Sequence, residues 1–249
     1  MSRRTFLHVG YAMSGNGQPR EIWHDQDGGW EDIAALAILL RSPDVKVMGI
    51  TITNGIADPQ TARQRTQMLL DALSEREAKL VDAIPAGEEI LATGPLTRVA
   101  AMIRSKQKPK SVTWMGGAIQ APGNAPGNAE WNAAQDPSAL RTVLSSGVPL
   151  TLCPLDLTNQ FRSTPDVVPG AGTVQEQLRA AYREKDRYFW DEIAAAWIVV
   201  PGLFTEKWLH IQADRKARLR QESTGWRVRV LQGCDTRGFL GLLTQTFRF

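Results

Sequence analysis

Two cysteines and three histidines in 249 residues leave little for soft-metal chemistry. Cys153 and Cys234 alone cannot build a disulfide framework or a cysteine-rich zinc cluster. His8, His24 and His210 are too scattered for a histidine-based metal site. No apolar run approaches the roughly 20 residues that a membrane-spanning helix needs, so no membrane partner is expected. An excess of one charge is also missing. The 29 basic and 26 acidic residues leave +3, far short of what a dedicated nucleic-acid binder carries, so no nucleic-acid partner is expected either. What is present, 43% hydrophobic and 22% charged, is ordinary for a globular chain and excludes disorder, collagen and coiled coil.

The length suits one large α/β domain or two small ones. No compositional shift marks a linker and no repeat is visible, so we read one domain over 21–249 behind a polar extension over 1–20. Ser2-Arg3-Arg4-Thr5-Phe6-Leu7 is similar to the start of a twin-arginine export signal. The residues that follow make a poor apolar segment with no small-x-small cleavage site. The expectation is a frayed extension on a cytoplasmic protein, with export as the alternative.

Short β-rich runs alternate with helical patterns. Val45–Thr53, Glu89–Ala92, Ser111–Met115 and Val148–Leu155 read as buried strands. Glu31–Arg41, Pro59–Ser74, Leu96–Ser105 and Pro137–Ser146 read as helices. This alternation predicts an α/β fold with a mostly parallel, twisted sheet flanked by helices. Val174–Val200 reads as one helix with a break near Trp190. The tail differs: Trp208–Ala213 and Trp226–Gln232 predict a small antiparallel addition, and Thr236–Phe247 a last amphipathic helix. The basic run Arg215–Arg220 reads as a solvated edge strand or turn rather than a phosphate patch.

The most informative segment is Trp23-His24-Asp25-Gln26-Asp27-Gly28-Gly29-Trp30-Glu31-Asp32. It follows a strand and opens an apolar helix, so it sits at the carboxyl end of a strand, where open α/β sheets bind ligands. Gly-rich strand–helix loops often cradle phosphate, but four carboxylates would repel one. They suit a hard cation with oxygen ligands, Ca²⁺ or Mg²⁺. Glu31 and Asp32 also gain from the helix dipole whatever the function, and Asp25 can serve the loop's own hydrogen bonds. Asp27 is harder to explain without a ligand, because bringing it beside Asp32 demands a cation or a proton between them.

The loop resembles the nucleoside hydrolase signature Asp-x-Asp-x-Gly-x-Asp-Asp: Asp25, Asp27, Gly29 and Asp32 match, and Glu31 stands in place of an aspartate. Further matches follow in order. They are Thr93-Gly94-Pro95-Leu96-Thr97, then Met115-Gly116-Gly117, then Gly123-Asn124 with Ala129-Glu130-Trp131-Asn132 and Asp136-Pro137. Leu155-Asp156-Leu157-Thr158 and Trp190-Asp191-Glu192 complete the series. Any one of these motifs is weak alone; their order is specific.

The resemblance implies the Rossmann-like nucleoside hydrolase fold and hydrolysis of ribonucleosides to ribose and free base with Ca²⁺ as cofactor. Asp27 would bind the ion and act as general base on the attacking water. Asp32, Asp191 and the Thr93 carbonyl would be the other protein ligands. Glu31, Asn124, Glu130 and Asn132 would hold the ribose hydroxyls, Met115 would line the sugar pocket, and Trp190 would face the base. It also implies a small-molecule nucleoside partner and assembly into homodimers or homotetramers.

Bland readings stand beside these roles. Asp136 before Pro137 reads as a helix N-cap, and Asn124 lies in a Gly/Pro/Asn loop. Trp190 occupies the place where many members carry a histidine. That resembles the purine-preferring branch, whose tryptophans stack on the base; simple packing is the other reading. The chain is also short for the family between Thr53 and Leu91 and between Thr158 and Trp190. Ile56 falls where a polar sugar contact is usual, with Asn54 as a substitute. A degenerate homologue that binds Ca²⁺ and a ribosyl ligand without turnover is therefore the alternative.

Overall fold

The computed structural model describes residues 18–249. The twin-arginine segment Ser2–Leu7 and nearly all of the 1–20 extension lie outside the described residues. Among the described residues no helix is long and apolar enough to cross a membrane.

Alternation of apolar and polar character along each segment sets the architecture. In chain order the elements begin β1 (Arg20–Gln26), α1 (Trp30–Arg41), β2 (Val45–Ile52), α2 (Pro59–Ala72), β3 (Glu89–Ala92), α3 (Thr97–Arg104), β4 (Ser111–Met115). They continue with α4 (Trp131–Gln135), α5 (Pro137–Ser145), β5 (Leu150–Cys153), α6 (Leu155–Thr158), α7 (Thr173–Tyr182) and α8 (Asp191–Val199). The chain finishes through β6 (Phe204–Ala213), β7 (Leu219–Gln221), β8 (Trp226–Cys234) and α9 (Thr236–Thr246).

The described strands form one sheet in the order β2-β1-β3-β4-β5-β8-β6-β7. Its first six strands run parallel, while β6 is antiparallel to both β8 and β7. The expected α/β fold and its antiparallel addition are both present. The addition is folded into the main sheet, because β8 pairs directly with β5.

Successive strand residues feed opposite faces. Leu91, Met115 and Cys153 enter the core shared with α1, α7, α8 and α9. Their neighbours Ile90, Trp114 and Leu152 enter the core shared with α3 and α5. Both faces are therefore covered. Helix α1 is buried from Asp32 to Leu39, and α8 along its whole length. Such helices have no solvent face to spare, and the two pack on each other beneath the sheet's carboxyl rim.

Several expected boundaries shift, β6 starting at Phe204 rather than Trp208 and β8 running on to Cys234. The Val148–Leu155 strand shortens to β5, since Leu155 already starts α6. Val174–Val200 is not one helix with a point break: residues 183–190 leave it entirely. Tertiary bonds hold that connection, with Ser163 N–H donating to the Arg187 carbonyl (3.0 Å) and Phe189 N–H to the Phe161 carbonyl (2.9 Å). Asp136 caps α5 through a bond from Ala139 N–H (2.9 Å), with Pro137 in the first turn. The basic run contains a turn and the edge strand β7, as its composition predicts.

Candidate active site

The acidic loop leaves β1, the second strand from the β2 edge of the sheet. Gly28 has φ of +83°, and a Cβ there would come within 2.3 Å of Ala62 Cβ, so only glycine fits the turn. Asp25 is fully buried and aims back into the sheet. It accepts from the hydroxyls of Thr51 (2.6 Å) and Thr53 (2.9 Å) and from Arg98 Nε (3.1 Å). Burial pushes its carboxyl pKa up, against the pull of those donors. Arg98 also donates to the carbonyls of Ile52 (2.7 Å) and Asp82 (2.6 Å), fastening three segments at one point. Nothing in the sequence pattern singled Arg98 out.

Asp32 closes a capping box. Its Oδ2 accepts from Gly29 N–H (2.8 Å) and its Oδ1 from the Thr93 hydroxyl. His24 is likewise fully buried, with Nε2 2.9 Å from Thr93 Oγ1, and burial lowers its pKa to about 3. It is thus a neutral support beneath the loop, held against Thr93.

Asp27 lies under a roof of glycines. A Cβ on Gly55 would fall 2.0 Å from Asp27 Oδ2, and one on Gly94 2.9 Å from its Cβ. The Ile56 N–H bonds to Asp27, and the Asp27 and Asp32 carboxyls stand within hydrogen-bonding reach of each other. Two carboxylates at that separation need a shared proton or a cation. Burial, then the neighbouring negative charge, lifts Asp27 to about 6 and Asp32 well above the carboxylate range.

Asp191, at the start of α8, is raised in the same way by burial and then by Asp32 and Glu31. It is 2% exposed. Among the described residues no cationic side chain forms an ion pair with Asp27, Asp32 or Asp191, although the Arg187 charge acts on Asp191 at longer range. Together with the Thr93 carbonyl they offer hard oxygen donors around unbalanced negative charge, the chemistry a divalent cation takes. Among the described residues no three Asp, Glu, His or Cys side chains are grouped closely enough to hold a metal ion by themselves.

The other expected residues divide. Asn132 is buried, and its Nδ2 donates to the carbonyls of Thr93 (2.9 Å) and Met115 (3.1 Å), bridging the ends of β3 and β4. Met115 is buried at the end of β4. Glu130 caps α4: Oε1 accepts from Asn132 N–H (2.8 Å), and Oε2 from the N–H of Gly117 (2.8 Å) and of Ala133 (2.9 Å). Asn124 is exposed and its Oδ1 takes Trp131 N–H (2.7 Å). Asn54 and Ile56 are exposed.

Glu31 is engaged by a residue the sequence did not suggest. Arg187 Nη2 donates to Glu31 Oε2 at 2.8 Å, and the guanidinium carbon sits 5.4 Å from the Trp190 ring centre. The only sequence clue to Arg187 is its place four residues before Asp191. An open cavity of about 500 Å³ lies elsewhere on the carboxyl rim, bounded by Gln120, Asp156, Lys207, Leu209 and Gln232, and contains none of these residues.

A family profile described as "Inosine-uridine preferring nucleoside hydrolase" matches residues 74–241. The "Pyrimidine-specific ribonucleoside hydrolase RihA" of Shewanella baltica is 25% identical, with 92% of this chain and 96% of that protein covered. The "Non-specific ribonucleoside hydrolase RihC" of Escherichia coli is 32% identical over 60% of this chain and 53% of that protein. The structure of a purine-preferring ribonucleoside hydrolase from Gardnerella vaginalis superposes with a TM-score of 0.79 at 22% identity, covering 92% of this chain and 98% of the other.

Proposed function

The chain belongs to the inosine-uridine preferring nucleoside hydrolase family, and from that premise we propose that it is a calcium-dependent ribonucleoside hydrolase. It releases ribose and a free base. The observation that carries this reading is the set of buried carboxylates Asp27, Asp32 and Asp191, none of which forms an ion pair with a described residue. Leaving them unpaired would cost several kcal/mol by desolvation alone, about the scale of a whole domain's stability.

Asp27, Asp32, Asp191 and the Thr93 carbonyl would hold the ion. When bound, it supplies Lewis acidity and grips the ribose diol. The protein's own groups do the rest. Asp27 acts as the general base and takes the proton of the attacking water. The water oxygen bonds to C1′ while the C1′–N bond breaks, and the bonding pair leaves with the base. Cationic character grows on the sugar ring, and the surrounding carboxylates offset it. Asn132 keeps the Thr93 carbonyl oriented, and Glu130 fixes the loop that presents Asn132.

A purine preference rests on Trp190, whose indole borders Asp191 in the chain and is half-buried. The named relatives divide among pyrimidine-specific, non-specific and purine-preferring enzymes, so Trp190 is the residue to test. We assign the protein to the cytoplasm and to a homodimer or homotetramer, to be read by fractionation and by sedimentation. One set of contacts favours the alternative of a non-catalytic Ca²⁺ and ribosyl binder. Glu31, Glu130 and Asn124 already spend their oxygens on protein donors.

The experiment is release of free base from inosine, adenosine, guanosine and uridine, with Ca²⁺ and after chelation. Activity should require the ion and fall by about 10³-fold or more in Asp27→Ala. Release no higher than in that variant leaves only the binding role.

A further inference from the structure

We propose that Arg187 stabilises the departing base, a specificity and leaving-group role that rests on the hydrolase reading above. A base leaving from nitrogen carries away the C1′–N bonding pair. Its ring nitrogens and carbonyl oxygens then need a donor or a positive charge.

The described histidines cannot provide either. His24 is fully buried with Nε2 held by the Thr93 hydroxyl, and His210 is on β6 in the antiparallel part of the sheet, paired with Arg227. The other arginines around the loop serve other partners. Arg98 spends its three nitrogens on Asp25 and on the carbonyls of Ile52 and Asp82. Arg65 bonds the Gly28 carbonyl and covers Trp30.

Arg187 differs from Arg98 in having an unpaired nitrogen, and from Arg65 in lying over Trp190 rather than Trp30. Glu31 takes Nη2 at 2.8 Å, and Glu184 lies 3.8 Å from Nε. Nη1 has no hydrogen-bond partner among the described residues and is not shut away from solvent. The guanidinium sits 5.4 Å from the Trp190 ring centre, beside the residue that precedes Asp191. Arg187 therefore joins Glu31 to Trp190, the residues that the hydrolase reading assigns to the sugar and to the base. The extra methylene of Glu31 relative to aspartate is what carries its carboxylate to the guanidinium.

The atoms balance without a further reactant. Water adds its oxygen to C1′ and gives its proton to Asp27. The base leaves with the bonding pair, its charge held by the N–H bond from Arg187 Nη1. Solvent returns one proton from Asp27 to the base nitrogen.

The test compares inosine with 4-nitrophenyl riboside, whose phenolate leaves without help. Arg187→Met should lower kcat on inosine about a hundredfold, as loss of one charge-stabilising donor does, and change the nitrophenyl rate by less than about threefold. Arg187→Lys should recover part of the inosine rate, since it keeps the charge but loses the fork. Equal losses on both ribosides would overturn the proposal and leave Arg187 a support for Glu31.

A second arm needs no turnover. Free hypoxanthine is titrated calorimetrically into chelated protein, and its affinity should fall about tenfold in Arg187→Met. Unchanged affinity overturns the proposal. A wild type inert toward both ribosides but showing that loss would refute the hydrolase reading and keep Arg187 as a base contact.

Discussion

Asp25 and Asp27 are two residues apart and meet opposite fates. Asp25 points into the sheet, where Thr51, Thr53 and Arg98 surround it. Asp27 points out, against glycines at 55 and 94 and the carboxyl of Asp32. One is a buried ion pair and the other a reactive group. Alternation would set residues two apart on one face; Asp27 departs from it because β1 ends at Gln26 and the chain turns at Gly28. Removing one partner of a buried pair strands the other charge. Arg98→Met should therefore destabilise the fold by about 3–5 kcal/mol in urea unfolding at neutral pH. Adding Asp25→Asn should restore part of that loss. A loss below about 1 kcal/mol in Arg98→Met would mean that the hydroxyls of Thr51 and Thr53 suffice. The resemblance marked Asp25 only as part of a pattern. Its structural task depends on Arg98, 73 residues away, and no local spacing encodes such a contact.

The short parallel strands and the two deeply buried helices place the site. Asp32 and Asp191 each sit in the first turn of such a helix, where the dipole favours negative charge. The packing of α1 on α8 brings those two turns together. Both helices were legible as apolar runs, and β3 and β4 match their predicted bounds. The connection over 183–190 was not legible, because Arg183, Glu184 and Lys185 all favour helix. Its path is set by bonds to Phe161 and Ser163 and by Asp186 at φ 58°.

At the opposite end of the strands, Arg20 of β1 pairs with Glu89 of β3. Burial works to raise the Glu89 pKa, but the hydrogen bond and charge of Arg20 prevail and hold it below its ordinary value. A depressed carboxylate contributes stability above its unfolded pKa and loses it as pH falls through the folded one. Glu89→Gln should thus cost about 1 kcal/mol at pH 7, and the deficit should shrink as pH drops below about 4.5. Urea midpoints at both pH values decide it, with base release unaffected because the pair lies far from the carboxyl rim. A deficit that persists in acid would assign the effect to packing.

At the scale of the whole molecule, one sheet covered on both faces gathers charge at a single rim. The mostly parallel order was readable from the alternation of strands and helices. The insertion of β8 beside β5 was not, since antiparallel tail strands carry no signal for their outer neighbour. The series of short motifs indicated which residues would meet. It did not reveal that Glu130 and Asn132 would be satisfied by backbone groups, which depends on α4 docking against Thr93 and Met115.

The convergence of Asp27, Asp32 and Asp191 makes an energetic demand on the entire fold. Without a cation, their mutual repulsion and burial oppose folding near neutral pH, where the unfolded chain ionises them freely. An ion that binds only the folded state reverses this by mass action, adding about 2.7 kcal/mol at a hundred times its dissociation constant. For a chain of this size that is a rise in Tm of about 5–10 °C over the chelated protein. Asp191→Asn should then behave in two opposed ways. Without calcium it should melt above the chelated wild type, because one buried charge is gone. With calcium it should gain little, because a ligand is gone. Melting curves of both proteins with and without calcium measure all four states. A variant that starts lower than the chelated wild type and rises with calcium by the same amount would place Asp191 outside the ion's reach.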